Sequence, residues 1–458
     1  MLSPNAPRHS FWLNSLPYLL FGFLAVIYLI VIPTGESPDE PSHLRCIEQV
    51  SVQKRLPFVD PPSGGEVWWH PEAILSGYVC YHMPLYYLMA GGTQLIITAV
   101  THQPSTYQFP PHNYDFGPQA NLFEHSQRKP SPWQITDPGH IVGLRLLSII
   151  LSGLVVWSTI QITRYLVPEQ TETAVIAGLI VAGWPQFVYF SRSINNDILA
   201  TALALLILVG LLNVGKPNRY PLLAFLSTLA LLTKLTTAFT IVVLLIAWSL
   251  EAWQQRKNLQ PYLKNLALCI IIWSIAGLFI FFQPTINQNV TYGLNYLSWF
   301  PERIKTSIYW LDVAKMTLSS GWVRFAWMNL AVPMGHAYGT WLIVGSLVTI
   351  GGGYILQKSQ RVSTNRLFTQ ILILIVWVGS GLASYIRINM THFQPQFRFI
   401  FVLLPVIIAI GTIGLNRLNI HLPKPVTTPM IIFFIIATWL GYNAWVISTL
   451  VIPGYYGQ

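Results

Sequence analysis

A chain of 458 residues that is 53% hydrophobic and only 9% charged, with a mean hydropathy of +0.50, carries too little polar surface for a soluble enzyme. Its net charge of +10 does not point to nucleic acid, because no basic cluster is interleaved with aromatic residues and the cations lie between apolar runs. The composition describes an all-α polytopic membrane protein, read as a single transmembrane domain over residues 1–458.

The first apolar run, Phe11 to Ile32, is longer than a signal-peptide core and no small-residue cleavage site follows it, so it reads as an uncleaved first helix. Directly after it comes Ser37-Pro38-Asp39-Glu40-Pro41-Ser42-His43. Pro41 suits the first turn of a helix, where its missing N–H would be unpaired anyway, and a helix is predicted over about Pro41–Leu56 with Asp39 and Glu40 at its positive end. Two adjacent carboxylates at the edge of the hydrocarbon suit a base for an alcohol or a ligand set for a divalent cation such as Mg or Mn, and no other cofactor is implied. Helix capping alone would also account for Asp39. The hydrophilic stretch 34–140 contains Cys46 and Cys80, which fit a disulfide or two free thiols. It also contains the moderately apolar Met83–Val100, whose crossing or not decides the side of every later loop.

Ten further apolar runs follow: Ile141–Tyr165, Thr173–Phe190, Ile198–Val214, Tyr220–Leu232, Thr236–Leu250, Tyr262–Phe282, Tyr338–Leu356, Leu367–Ile386, Phe397–Leu415 and Thr427–Ile452, making about eleven transmembrane helices in all. Alternate loops then hold twelve cations: Arg8, Arg164, Lys216, Arg219, Arg256, Lys257, Lys264, Lys358, Arg361, Arg366, Arg417 and Lys424. That face is read as cytoplasmic. The N-terminus is then inside the plasma (inner) membrane, and the C-terminus and the large loops 34–140 and 283–337 are outside. This holds only if Met83–Val100 lies along the outer interface without crossing.

The outer face so defined gathers Asp39, Glu40, His43, Glu48, Glu66, His70, Glu72 and His82 from the first loop. Arg192, Asn195, Asn196 and Asp197 come from a helix turn, Lys234 from the Thr233–Thr236 interruption, and Arg324, Asn329, His336, Arg387, His392, Gln396 and Arg398 from later loops. Acids early and cations late suit a reaction in which cations hold a departing phosphate while a carboxylate takes a hydroxyl proton. Arg387 and Arg398 would equally fit headgroup snorkelling. Trp68, Trp69, Trp299, Trp310, Trp322 and Trp327 fit an interfacial belt, although their faces also stack on sugars. No HxxE or HExxH spacing suggests zinc.

Several stretches form an ordered set: Pro38-Asp39-Glu40-Pro41-Ser42-His43, Met83-Pro84-Leu85-Tyr86-Tyr87, Ser193-Ile194-Asn195-Asn196-Asp197, Thr233-Lys234-Leu235-Thr236, Gly321-Trp322 through Trp327-Met328-Asn329, and Gln396-Phe397-Arg398-Phe399. In this the chain resembles the DUF2142 family of bacterial membrane proteins, themselves similar to the GT-C superfamily of polyprenyl-phosphate-sugar-dependent glycosyltransferases. The resemblance implies a GT-C-like fold with juxtamembrane helices in the first outer loop. It implies a polyprenyl-phosphate sugar donor, a glycan, lipid or protein acceptor, membrane lipids as surroundings, and no nucleic acid. Asp39 and Glu40 become the catalytic carboxylates, with Asp39 as base or metal ligand, and Arg192, Lys234, Arg387 and Arg398 the phosphate ligands. His43, His82, Tyr86, Tyr87, Asn196, Asp197, Trp322, Asn329 and Gln396 become substrate contacts. The chain departs from aminoarabinose and mannosyl transferases in having His82-Met83 where those often show Lys or Gln before the Pro-containing motif. A transporter or flippase of lipid-linked saccharides, or a polysaccharide polymerase or ligase, are the competing classes. A transporter would set its ionisable groups near mid-membrane.

Overall fold

The structure, a computed structural model, describes residues 8–58, 77–103, 105–111, 121–123, 125, 131–296, 306–361, 365–422 and 425–456. Glu66, His70, Glu72, Trp68, Trp69 and Trp299 lie outside them. All eleven predicted runs are helical. Eight helices have the length and apolarity of a membrane span: α1 (Arg8–Val31), α4 (Gly139–Leu166), α9 (Phe239–Gln254, with a short 3-10 turn before it), α10 (Gln260–Phe282), α13 (Met334–Arg361), α14 (Asn365–Thr391), α15 (Leu404–Ile420, preceded by the 3-10 segment Phe397–Leu403) and α16 (Thr428–Val446, continued to Tyr456).

A ninth span is made by α5 (Thr171–Gly183) and α6 (Pro185–Ser191), bent by 66°. The bend has a local cause. Proline at 185 excludes its predecessor from the helical region, and Trp184 is extended at φ −64°, ψ 113°. The other two runs are α7 (Asn196–Leu212) and α8 (Tyr220–Leu231), of 17 and 12 residues, shorter than the ~20 that cross hydrocarbon unaided. Eight to nine span-length helices among the described residues therefore replace the expected eleven. Polar residues bound both short helices: Asn195 caps the start of α7 by accepting from Ile198 N–H at 3.2 Å, and α8 ends just before Thr233-Lys234.

Between α1 and α4 lie α2 (Glu40–Ser51), a 3-10 turn Tyr78–Tyr81, and α3 (Leu85–Thr101). The predicted helix over Pro41–Leu56 thus starts one residue earlier and ends five earlier. Apolar α3, 17 residues long, packs on α2 and α4, and its first N–H bonds Leu232 O at 2.9 Å, pinning it to the end of α8. After α10 come α11 (Pro284–Tyr296), α12 (Ser307–Trp322) and a small hairpin, Arg324–Phe325 against Leu330–Ala331.

The two ends of the bundle carry different chemistry. One end is closed by Lys358–Glu169 at 2.5 Å, Arg219–Glu251, and Asn416 Nδ2–Gln170 at 2.9 Å. The other gathers Asp39, Asp197, Lys234 and Arg398. Helices α13 and α15 cross at backbone contact: a Cβ on Gly351 would stand 2.0 Å from Ile410 O, and one on Gly414 2.0 Å from Leu347 O. Lacking a hydrophobic drive inside lipid, membrane helices associate through such close approach. The last helix returns to the first, with Tyr28 OH on Asn443 Oδ1 at 2.9 Å and Tyr456 OH on Val31 O at 2.8 Å.

Candidate active site

Asp39 takes a left-handed conformation, φ +67°, which short polar side chains tolerate, and its carboxylate makes no cap to α2. Its oxygens turn elsewhere: Oδ1 accepts from Tyr78 OH and Oδ2 from Arg398 Nη2. Tyr78 is brought there by a Cys46–Cys80 disulfide, Cα–Cα 5.3 Å, which fastens the 3-10 turn to α2, and by Val79 N–H on Ser42 Oγ at 3.2 Å. Gly77 makes this approach possible, because at φ +88° a Cβ would stand 2.9 Å from Cys80 Sγ. Burial opposes ionisation of Asp39, but the Arg398 guanidinium beside it and the Tyr78 hydrogen bond hold its carboxyl down at about 2.

Glu40 points the other way and is fully buried. Arg145 Nε and Nη2 grip its two oxygens at 3.2 Å each, Gly35 N–H and Ile194 N–H add bonds at 3.0 and 3.1 Å, and Arg192 Nη1 lies 3.7 Å off. Burial works against its charge, and Arg145 and Arg192 outweigh it, leaving the carboxyl below its ordinary value. The adjacent acids are thus separated: Asp39 faces a cavity and Glu40 ties α1, α2, α4 and the turn before α7 together.

That cavity, of about 110 Å³, is lined by Asp39, His43, Tyr78, Tyr81, His82, Asn196, Asp197, Lys234, Gln394 and Arg398, with apolar contributions that include Ile388 and Phe399. Lys234 pairs with Asp197. Arg398 lies between the two acids, with Nη2 on Asp39, Nη1 on Pro38 O at 3.2 Å and Nε 3.8 Å from Asp197 Oδ2. The Phe399 ring lies 4.8 Å from Lys234 Nζ and 4.9 Å from Arg398 Cζ. A smaller space of about 20 Å³ shares Asp197, Lys234, Thr236, Arg398 and Phe399 and continues between helices past Ala200, Phe239, Gly381 and Val402.

Of the residues singled out from sequence, Asp39, His43, His82, Asn196, Asp197, Lys234 and Arg398 meet at this cavity. The other described ones do not line it. Arg192 is buried behind, donating from Nη2 to Ser37 Oγ at 2.7 Å with its guanidinium 4.7 Å over Tyr189. Half-buried Arg387 sits next to the lining residue Ile388, and Gln396 two residues beyond the lining Gln394. Tyr86 and Tyr87 form a buried wall behind His43. Trp322 is a core residue, its Nε1 on Tyr442 OH at 2.8 Å and its ring against Trp184 and Trp439, while Asn329 lies at the small hairpin.

Sequence reasoning missed Tyr78 and Arg145. A lone arginine in an apolar span has to find an acid, and that was the available signal.

The described residues do not fit a divalent cation. The two expected ligands, Asp39 and Glu40, diverge, Arg398 fills the gap between Asp39 and Asp197, and no group of three His, Cys, Asp or Glu among the described residues is arranged to hold a metal.

The fold, a multi-pass helical bundle with short helices laid over one end, is similar to that of solved membrane proteins. It overlays ArnT from Cupriavidus metallidurans bound to undecaprenyl phosphate with a TM-score of 0.51 and 11% identity, over 96% of this chain and 74% of that one. The apo form of the same ArnT gives 0.50, 12%, 96% and 73%. The Archaeoglobus fulgidus oligosaccharyltransferase in its apo form gives 0.49 and 12% identity over 96% of this chain and 56% of that one. Residues 134–279 match the family described as dolichyl-phosphate-mannose-protein mannosyltransferase. No curated protein matches the chain.

Proposed function

We propose that this chain is an integral-membrane glycosyltransferase that moves a sugar from a polyprenyl-phosphate donor to an acceptor hydroxyl of a glycan, lipid or protein. In this reading its ordered motifs place it in the DUF2142 family. The site lies at the outer face of the plasma membrane, with the N-terminus in the cytoplasm and the C-terminus outside. The observation that carries the reading is the convergence of Lys234 and Arg398 with Asp39 and Asp197 in one cavity at the end of the bundle. Ionisable groups held there and not at mid-membrane suit a reaction at the interface better than transport.

The lipid phosphate is held by Lys234 and Arg398, whose charge assists the departing phosphate oxygen. The isoprenoid tail lies in the slot between helices bounded by Phe239 and Val402. The sugar is packed against Tyr81 and His82, and the acceptor hydroxyl arrives from the Asp39 and His43 side, in line with the C1–O bond. A single displacement inverts the anomeric centre. Asp39, ionised and doubly hydrogen-bonded, offsets positive charge developing on the sugar. The reaction proceeds without a divalent cation, so chelation leaves it unchanged.

The test is binding of polyprenyl phosphate to the purified protein in detergent, followed by transfer from polyprenyl-phosphate sugars. Wild type binds the lipid phosphate, and Arg398→Ala weakens this by at least about tenfold while acceptor affinity holds. A wild-type protein that binds no polyprenyl phosphate refutes the reading.

A further inference from the structure

The proton of the acceptor hydroxyl needs a destination, and Asp39 is a poor one. Both of its oxygens are engaged, by Tyr78 and Arg398. His43 stands four residues on, one turn along α2, and lines the same cavity.

Its tautomer follows from its neighbour. Tyr87 is fully buried, and its hydroxyl lies 2.9 Å from His43 Nδ1 and 3.4 Å from Val79 O. A phenol has one proton, and a carbonyl can only accept. With its proton given to Val79 O, Tyr87 accepts at the same oxygen from His43, and the neutral imidazole in that arrangement carries its proton on Nδ1. Nε2 is left as the lone-pair nitrogen, on the opposite side of a ring whose Nδ1 partner does not line the cavity.

We infer that His43 is the catalytic base of the transfer, receiving the acceptor proton on Nε2. The inference rests on the glycosyltransferase reading above. As the acceptor oxygen bonds to the anomeric carbon, its proton passes to Nε2 and the C1–O bond breaks with its electron pair going to the phosphate oxygen. The products are the glycoside, polyprenyl phosphate with one more negative charge than the donor, and imidazolium. The imidazolium is met by Asp39 from its own helix and Asp197 from α7, while Lys234, Arg398 and His82 face it from the other sides and are balanced by those acids and by the new phosphate charge. Burial, with help from Lys234 and Arg398, holds His43 down at about 4 against the pull of Asp39 and Asp197, so at neutral pH it is uncharged and able to accept.

The experiment measures single-turnover transfer from a polyprenyl-phosphate sugar by wild type, His43→Gln and His43→Ala, with polyprenyl-phosphate binding measured alongside. His43→Gln is expected to lose about 10²–10⁴-fold in kcat with lipid-phosphate Kd unchanged within about threefold. Imidazole added to His43→Ala restores turnover saturably, which a packing role would not produce. Turnover of His43→Gln within about threefold of wild type, or a loss carried by binding with kcat retained, or failure of imidazole to raise His43→Ala, overturns the assignment. A wild type that binds the lipid phosphate but transfers no sugar overturns instead the glycosyltransferase reading, and the base with it.

Discussion

The strongest test of the fold around the site is the Arg145–Glu40 pair, because both side chains are almost completely out of solvent. Replacing Arg145 with Met removes two bonds to the Glu40 carboxylate at 3.2 Å and two to Ile32 O and Pro33 O at 3.0 Å. Glu40 then keeps only two backbone N–H donors and Arg192 at 3.7 Å. Removing one partner of a buried ion pair costs about 3–5 kcal/mol, because a charge is left stranded. With an unfolding entropy near 2 cal/mol/K per residue, that is a drop of roughly 3–5 °C in the unfolding midpoint. Glu40→Gln strands Arg145 less, since two carbonyls still hold it and Asp137 lies 3.7 Å away. The double variant leaves neither charge uncompensated by the other, and its cost falls short of the sum of the two singles by about 2–3 kcal/mol. Thermal unfolding in detergent followed by tryptophan fluorescence measures all three. If the two changes simply add within about 0.5 kcal/mol, the pair is not the unit described here.

Shorter predictions accompany it. Asp39→Asn is expected to lower transfer about 10²–10³-fold with expression and lipid-phosphate binding retained, and undiminished turnover would remove Asp39 from the reaction. Because the folded pKa of His43, about 4, lies below its ordinary 6.5, the unfolded chain holds the extra proton between those values; stability falls as pH drops from 6.5 toward 4, and His43→Gln flattens that slope. Asp39 acts lower: its carboxyl at about 2 against 3.8 adds stability above pH 3.8 that is lost as pH falls toward 2, a step that Asp39→Asn removes from the pH dependence of the midpoint. A cysteine at Gln53, which is exposed, is labelled by an impermeant maleimide from outside intact cells while one at Lys257 is not, and the reverse pattern inverts the topology. Gly414→Leu forces the backbone contact of α13 and α15 apart and sharply lowers the yield of folded protein, measured by size-exclusion profile.

How much of this was legible beforehand follows the range of the interaction concerned. Apolar runs show themselves locally, and every one became a helix, although α7 and α8 turned out too short to count as full spans. The break at Thr233-Lys234 and the 17-residue helix before His102 were readable from charge placement and length. Asp39 was legible as an acid at a membrane edge, but whether it capped α2 depended on a backbone angle of +67° that no pattern encodes. Lys234 and Arg398, picked out in the sequence as phosphate ligands, line the cavity, whereas Arg192 and Arg387 looked the same in sequence and lie off it. The difference is made by Glu40, which draws Arg145 and Arg192 inward from 105 and 152 residues away. Cys80 hinted that its neighbourhood would be fixed to α2, yet only the bridge to Cys46 shows that Tyr78 is what it delivers.

The contact between Asp39 and Arg398 joins positions 359 apart in the chain. During synthesis the acidic motif leaves the ribosome long before its guanidinium partner has been translated, and Tyr456, which closes onto Val31, comes later still. A nascent polypeptide therefore lacks the assembled cavity until the segment that carries Arg398 has been inserted.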